Sequence, residues 1–199
     1  PVVWIGLLLQ YFVGFRWGLT PNAGYCDVIN PPEGASCGGP ADWAYHMILP
    51  WLTLYHWDLP QGLQDRSGWA SRDTALRLAD YAAQVGRRLG DRLAAIGTHN
   101  EPWCTAVLGH QLGKFAPGAK DAVLSTQVSH HLLLSHGLAL QAMRAERVRC
   151  PLGIVLNQSN ADAASHSAAD VALARTQYAS FVRWYMDPLF RGAYPADVL

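Results

Sequence analysis

The sequence predicts an α/β fold in which helices cover a parallel sheet, and within that class it favours a (β/α)8 barrel. From residue 48 onward, strand-like, loop-like and helix-like segments follow one another three times along the 199-residue chain. The strand-like runs are continuously apolar rather than alternating, which is typical of strands buried on both faces of a parallel sheet. No glycine-rich phosphate loop follows these runs, which argues against a nucleotide-binding doubly wound sheet.

The predicted elements follow from local patterns. Apolar runs rich in β-forming residues predict the strands, and apolar residues at helical spacing predict the helices. Ser71 or Asp73 is the expected N-cap of the first helix. In chain order, we predict a strand in residues 48–57, a helix over 71–91, a strand over 93–98, a loop over 101–120, a helix over 121–148, a strand in 152–157 and a helix over 170–190.

Residues 1–46 are expected to be an atypical N-terminal segment, separate from the barrel-like residues 47–199. They combine an apolar run, residues 2–15, with a stretch rich in Pro, Gly, Asn and Ser over residues 20–42. The stretch is typical of a loop. The apolar run is too short to span a bilayer and lacks the basic flank of a secretory signal, so we expect no membrane association.

Composition narrows the functional classes. The 15 basic side chains balance the 15 acidic ones, so the formal net charge is zero. A chain with no basic stripe is not expected to bind nucleic acid. The four cysteines have none of the spacings of a zinc site. We therefore predict reduced thiols, no bound metal and a cytoplasmic location.

Polar and aromatic side chains stand at the ends of the predicted strands. His56 and Trp57 end the first, Asn100 and Glu101 follow the second, and Asn157 ends the third. Active sites of parallel α/β folds lie at this end of the strands. A lone glutamate would more simply form a surface ion pair, but here amide, imidazole and indole groups accompany it, and these suit a sugar ring. Aromatic surroundings raise a carboxyl pKa, because burial disfavours the charge, and so favour a general acid.

Several motifs resemble the family 1 glycoside hydrolases, the β-glucosidase family, in order and in spacing. The resemblance runs from about Ile48 to Leu199. It rests on "TLYHWDLPQGLQDRSGW", "GDRLAAIGTHNEPW", "LGHQLGKFAPG", "HHLLLSHG", "GIVLN" and "RWYMDPLFRGAYP". It implies a retaining β-glycosidase on a (β/α)8 (TIM) barrel, which hydrolyses terminal β-linked sugars from β-glucosides or oligosaccharides without a metal or organic cofactor.

The resemblance also implies roles for individual residues. Glu101 matches the general acid/base, and Asn100 matches the residue that hydrogen-bonds the sugar 2-hydroxyl. His56, with Trp57, matches the wall of the glycone subsite, and Trp103 is expected to face the aglycone.

Other polar residues gain no catalytic role. None is predicted for His99 or Cys104. Adjacent histidines point in different directions on a helix, so packing or helix-surface roles are expected, rather than metal binding, for His130, His131 and His136.

The second carboxylate of a retaining glycosidase, about 5 to 5.5 Å from the first, is missing from the recognisable motifs. Of the three glutamates, Glu33 lies in the Pro/Gly-rich stretch and Glu146 near the basic end of a helix, where an ion pair is expected. The family's nucleophile lies in a Thr-Glu-Asn-Gly motif on the seventh strand, which this sequence lacks. We therefore expect an internal fragment, about strands three to five of a partial (β/α)8 barrel, inactive alone and dependent on the missing barrel segments.

Two alternatives remain open at this point. The chain could be a degenerate, non-catalytic sugar-binding remnant, in which the tryptophans, His56 and Asn100 bind a sugar that is not cleaved. It could also belong to a phospho-β-glycosidase or a glycosyl-transferring member of the same family.

Overall fold

The computed structural model describes residues 51–197, and within them the strand–loop–helix pattern is confirmed. The predicted segment 1–46 lies outside the described residues, so its boundary stays a prediction. The elements are β1 (Trp51–Tyr55), α1 (Gln61–Gln64), a 3₁₀ turn (Gly68–Ala70), α2 (Arg72–Leu89), β2 (Ala95–Asn100), a π-helix (Cys104–Gln111), α3 (Ala122–Ala145), β3 (Leu152–Val155), α4 (Ala168–Tyr178), a π-helical turn (Ala179–Arg183) and α5 (Trp184–Arg191).

The three strands form one parallel sheet in the order β1-β2-β3. Leu52 of β1 pairs with Ile96 of β2, which pairs with Leu152 of β3. Each connection between neighbouring strands passes through a helix, α2 or α3, as parallel strands require. The parallel sheet predicted from the continuous apolar runs is therefore confirmed.

Helices α2 and α3 pack against each other and share one apolar core with the sheet. Ser71 caps α2, since its hydroxyl accepts the Asp73 N–H at 3.3 Å, and this settles the choice between the two predicted caps. Asp121 caps α3 by accepting two N–H groups. Core side chains from every layer are almost wholly buried, among them Leu54, Leu78, Ile96, Leu132 and Met143. Burial of such side chains, at roughly 1.5–3 kcal/mol each, holds the sheet edge that carries the site.

The prediction of a loop over residues 101–120 was wrong for its first half. Residues 102 and 103 are helical, and the π-helix Cys104–Gln111 continues from them. The Leu112 N–H donates to the Val107 carbonyl at 2.8 Å, five residues back. The π-helix is buried on several sides, so it has no polar face and no amphipathic pattern that could predict it. β2 also begins and ends two residues later than predicted.

The histidines of α3 contact different parts of the chain: His131 and His136 are buried, and His130 lies on the helix surface. His130 Nδ1 lies 3.0 Å from the Tyr194 hydroxyl, His131 Nδ1 lies 2.9 Å from the Trp69 carbonyl oxygen, and His136 Nδ1 lies 2.8 Å from the Thr98 hydroxyl. Within residues 51–197, no helix combines the length and the apolar character that crossing a bilayer requires.

Candidate active site

Hydrogen bonds join the carboxyl ends of the three strands at one edge of the sheet. The Trp57 indole Nε1–H donates to the carbonyl oxygen of Asn100 at 2.9 Å. The backbone N–H of Glu101 donates to the Val155 carbonyl at 2.8 Å. Because the strands are parallel, side chains from all three meet at this edge. Residues that are far apart in the sequence therefore share one surface.

A bulge in β2 sets the direction of Asn100 and Glu101. Gly97 pairs with Gly153 and Asn100 with Val155, so three steps along β2 match two along β3. Bulges of this kind re-aim side chains and are frequent beside active sites.

The backbone of Glu101, next to the bulge, is also strained. Its φ of 46° lies in the left-handed region, which non-glycine residues seldom adopt. Pro102 occupies the first helical position of the next segment, where its missing N–H costs nothing. Strand, bulge and helix start together fix where the half-buried carboxylate of Glu101 points.

Cys104 is in direct contact with that carboxylate. Its Sγ donates to Glu101 Oε2 at 3.2 Å, and its backbone N–H donates to the Glu101 carbonyl at 2.8 Å. Burial, with the hydrogen bond to Glu101 and the charge of Glu101, raises the pKa of the Cys104 thiol to about 12, so the sulfur keeps its proton. The side-chain amide Nδ2 of Asn157 lies 3.9 Å from the sulfur. Sequence reasoning missed Cys104; its place three residues after Glu101, at a helix start, was the available signal.

The residues predicted to bind the glycone, His56 and Trp57, directly follow β1, and Trp57 contacts Asn100. The Trp57 side chain is 38% exposed. Its ring packs against His56, with centroids 5.0 Å apart, and against Phe115 at 5.5 Å. The backbone N–H of His56 donates to Asp58 Oδ1 at 3.2 Å, which orders the turn after β1. An exposed aromatic face beside an amide can stack on a sugar ring and hydrogen-bond its hydroxyls. Sequence reasoning did not identify Phe115.

Trp103 has different neighbours from His56 and Trp57. Its ring packs on Phe181, with centroids 4.8 Å apart. Both rings line a cavity of about 720 Å³, whose wall also carries the amide side chains of Gln111, Asn160 and Gln177. A cavity with aromatic walls and amide groups can hold a ring and its polar substituents.

Glu146 lies at the other end of the sheet from Glu101. It follows the last turn of α3, just before β3 begins at Leu152, whereas Glu101 follows the end of β2. Both of its carboxylate oxygens accept hydrogen bonds from Arg87, at 2.6 and 3.0 Å. The hydrogen bond from Arg87 lowers the pKa of Glu146. The ion pair predicted for Glu146 is confirmed.

His99 is buried beneath the site and connects β2 to α3. Its Nε2 lies 2.7 Å from the Ser135 hydroxyl, and its ring packs edge-on against Tyr55 and Trp69. Burial lowers the pKa of His99 to about 3, so the imidazole is neutral at ordinary pH. Within residues 51–197, no three potential metal ligands are grouped closely enough to hold an ion.

Known proteins resemble this chain in sequence and in structure. The model of the family described as "Glycosyl hydrolase family 1" matches residues 42–199. Beta-glucosidase A of Acetivibrio thermocellus is 45% identical over 152 residues, which are 76% of this chain and 34% of that protein. A beta-glucosidase of an Agrobacterium species is 42% identical over 152 residues, covering 76% and 33%. The chain thus spans about a third of the length of these curated relatives.

Solved structures agree with the sequence relatives. The AHE enzyme from Alicyclobacillus herbarius superposes with a TM-score of 0.74 at 44% identity, over 86% of this chain and 41% of that one. The virulence factor SghA, solved in complex with its substrate analog salicin, superposes with a TM-score of 0.74 at 40% identity, over 79% and 35%. The three-stranded parallel sheet and its helices are thus a partial (β/α)8 barrel, and this chain belongs to glycosyl hydrolase family 1.

Proposed function

We propose that this chain supplies the acid/base carboxylate of a retaining β-glycosidase, and that Glu101 is that carboxylate. One observation carries the proposal: the Glu101 side chain stands on a bulged, strained strand end, among the polar residues of the neighbouring strand ends. Such strain is typical of functional sites. Glu101 donates its proton to the leaving glycosidic oxygen in the first step, and in the second step it takes a proton from the attacking water.

The other predicted site residues bind the substrate. Trp57 and His56 form the wall on which the terminal sugar stacks, and the Asn100 amide hydrogen-bonds its 2-hydroxyl. The exposure of Trp57 and its hydrogen bond to Asn100 support this placement. Trp103 faces the aglycone, which enters the cavity that it lines with Phe181. The substrates are β-glucosides or short oligosaccharides with a terminal β-linked sugar.

The 199-residue chain alone does not complete the reaction. The nucleophile must lie about 5 to 5.5 Å from the acid/base. Glu146 is held by Arg87 at the opposite end of the strands, so it cannot be the nucleophile. We infer that the nucleophile comes from barrel segments that this chain needs as partners, and that the isolated polypeptide does not turn over an aryl β-glucoside. Turnover that depends on Glu101 would contradict this inference.

The acid/base role is tested in a chimera. Residues 42–199 replace the matching third of Beta-glucosidase A of Acetivibrio thermocellus, which contributes the rest of the barrel. Glu101→Gln should lower kcat/KM about 10²- to 10⁴-fold for a glucoside with a poor leaving group, which needs protonation. The same variant should lose much less activity on a dinitrophenyl glucoside, whose leaving group departs without a proton.

Glu146→Gln is the matched control, because it removes a carboxylate at the other edge of the sheet and should leave both rates unchanged. Equal losses on both substrates for Glu101→Gln would refute the acid/base role. Isothermal titration of the 199-residue chain with salicin tests the sugar-binding alternative, which the absence of measurable affinity would contradict. A cytoplasmic location stays a prediction, supported by the free thiols of Cys104 and Cys150.

A further inference from the structure

We propose that Cys104 is a positioning residue for Glu101: its thiol holds Oε2 by a hydrogen bond and leaves Oε1 to face the substrate. The proposal rests on the acid/base role of Glu101 proposed above. It gives Cys104 a role that neither the sequence pattern nor the comparisons assign to it.

Two contacts tie Cys104 to Glu101. The sulfur lies 3.2 Å from Oε2, and the Cys104 N–H lies 2.8 Å from the Glu101 carbonyl oxygen. One residue thus restrains both the side chain and the backbone of the strained glutamate. No described residue hydrogen-bonds Oε1, so the restraint is one-sided and selects which oxygen meets the glycosidic bond.

The sulfur is itself held in place. Cys104 is 5% exposed and belongs to the first turn of the π-helix. The Asn157 amide approaches the sulfur from beyond β3, at 3.9 Å. Contacts therefore connect Asn157, which follows β3, through the thiol of Cys104 to the carboxylate at the end of β2. An outward shift of any of the three would break the contact.

A thiol suits an acid/base that changes its charge twice in each cycle. It donates a weak hydrogen bond, which steadies the ionised carboxylate without binding it as tightly as an arginine would. Because its pKa lies near 12, the thiol stays neutral and does not compete for the proton. Among residues 51–197, Tyr185 is the other titratable group whose charge interacts with Cys104; it is buried, and burial raises its pKa, so it too stays neutral.

The first test follows the carboxyl groups directly and needs no turnover. The chain has three glutamates, so uniform ¹³C labelling of glutamate yields three side-chain carboxyl signals, which Glu101→Gln and Glu146→Gln assign. Loss of a donor to the charged form makes a carboxylate hold its proton more tightly. Cys104→Ala should move the titration midpoint of the Glu101 signal up by about 0.5 to 1 pH unit, and Cys104→Ser, which keeps a donor, should restore it.

Two controls accompany the titration. Cys150→Ala removes the other described free thiol and should leave the Glu101 signal unchanged. The Glu146 signal reports folding, because its low midpoint depends on Arg87 across the α2–α3 interface. An unchanged Glu101 midpoint in Cys104→Ala, with the Glu146 signal intact, overturns the proposal.

A second measurement examines the same pair from the side of the thiol and requires only dilute protein. Iodoacetamide labels Cys104 and Cys150 in one sample, and mass spectrometry gives the ratio of their rates. Glu101→Gln removes the charge that disfavours the thiolate, so the relative rate at Cys104 should rise about threefold to tenfold.

An unchanged labelling ratio overturns the proposal even if Cys104→Ala fails to fold, because this variant retains the thiol. The two proposals can also fail separately. If the chimera shows no leaving-group effect while both the titration shift and the labelling change are observed, the acid/base role is wrong and the thiol–carboxylate contact stands.

Discussion

Replacing Thr98 with valine tests how much one buried hydrogen bond contributes to holding β2, the strand that carries the candidate acid/base, against α3. The Thr98 hydroxyl lies 2.8 Å from His136 Nδ1, and Thr98 is fully buried. Valine has nearly the shape of threonine and suits a strand, so the change opens no cavity. It leaves the ring nitrogen of His136 buried without a partner.

The expected cost follows from that unpaired nitrogen. A buried polar group that loses its partner costs about 1–3 kcal/mol in the free energy of unfolding. For a chain of this size the melting temperature falls by about 2–4 °C for each kcal/mol. Replacing both partners, as in Thr98→Val with His136→Leu, should cost less than the sum of the single changes.

Urea denaturation followed by far-ultraviolet circular dichroism measures the loss. Thr126→Val is the matched control, since Thr126 is exposed and its hydroxyl bonds the Ala122 carbonyl within its own helix. Its effect should stay within about 0.5 kcal/mol. If Thr98→Val costs no more than this control, or if the double variant shows no coupling, the hydrogen bond does not stabilise the contact between β2 and α3.

Two further predictions concern stability. Burial holds the pKa of His99 at about 3 and that of His136 at about 4, below the unfolded value near 6.5. Between these values the unfolded chain binds more protons than the folded one, so the stability should be full above about pH 6.5 and should fall towards pH 4. The expected loss for each histidine is up to about 1.4 kcal/mol per pH unit. A flat urea midpoint between pH 7 and 4.5 would contradict this. Gly109→Ala should destabilise the π-helix region, because the added Cβ would lie 2.6 Å from the Ala116 carbonyl oxygen. The added Cβ of Gly137→Ala in α3 meets nothing within 4 Å, so this change should stabilise the chain by about 0.5–1 kcal/mol. If both changes shift the urea midpoint in the same direction, the argument is refuted.

Much of the architecture was predictable, because apolar periodicity reports burial and burial follows the secondary structure. The parallel strands, the Ser71 cap and the long helix α3 all follow from such local patterns. The π-helix was not predictable, because its buried surface is too wide to leave a periodic pattern. The choice of Ser71 over Asp73 as N-cap also depended on geometry, since both side chains can accept an N–H.

The candidate site divides in the same way. Its motif residues could be read from the sequence, because strand ends and family motifs lie in short, contiguous segments. The contact of Cys104 with the Glu101 carboxylate and the packing of Phe115 on Trp57 could not be read, because they depend on side-chain directions across separate elements. The opposite positions of Glu101 and Glu146 likewise emerged only once α3 and β3 were placed.

The sequence by itself determined the family, the order of strands and helices and the glutamate proposed as acid/base, since each depends on residues close together in the chain. Only the tertiary structure decided which groups touch that glutamate. The bulge in β2 and the left-handed backbone of Glu101 turn its carboxylate towards Cys104. Such contacts join groups through space, and their energies depend on distance, direction and burial, which no local pattern of residues encodes.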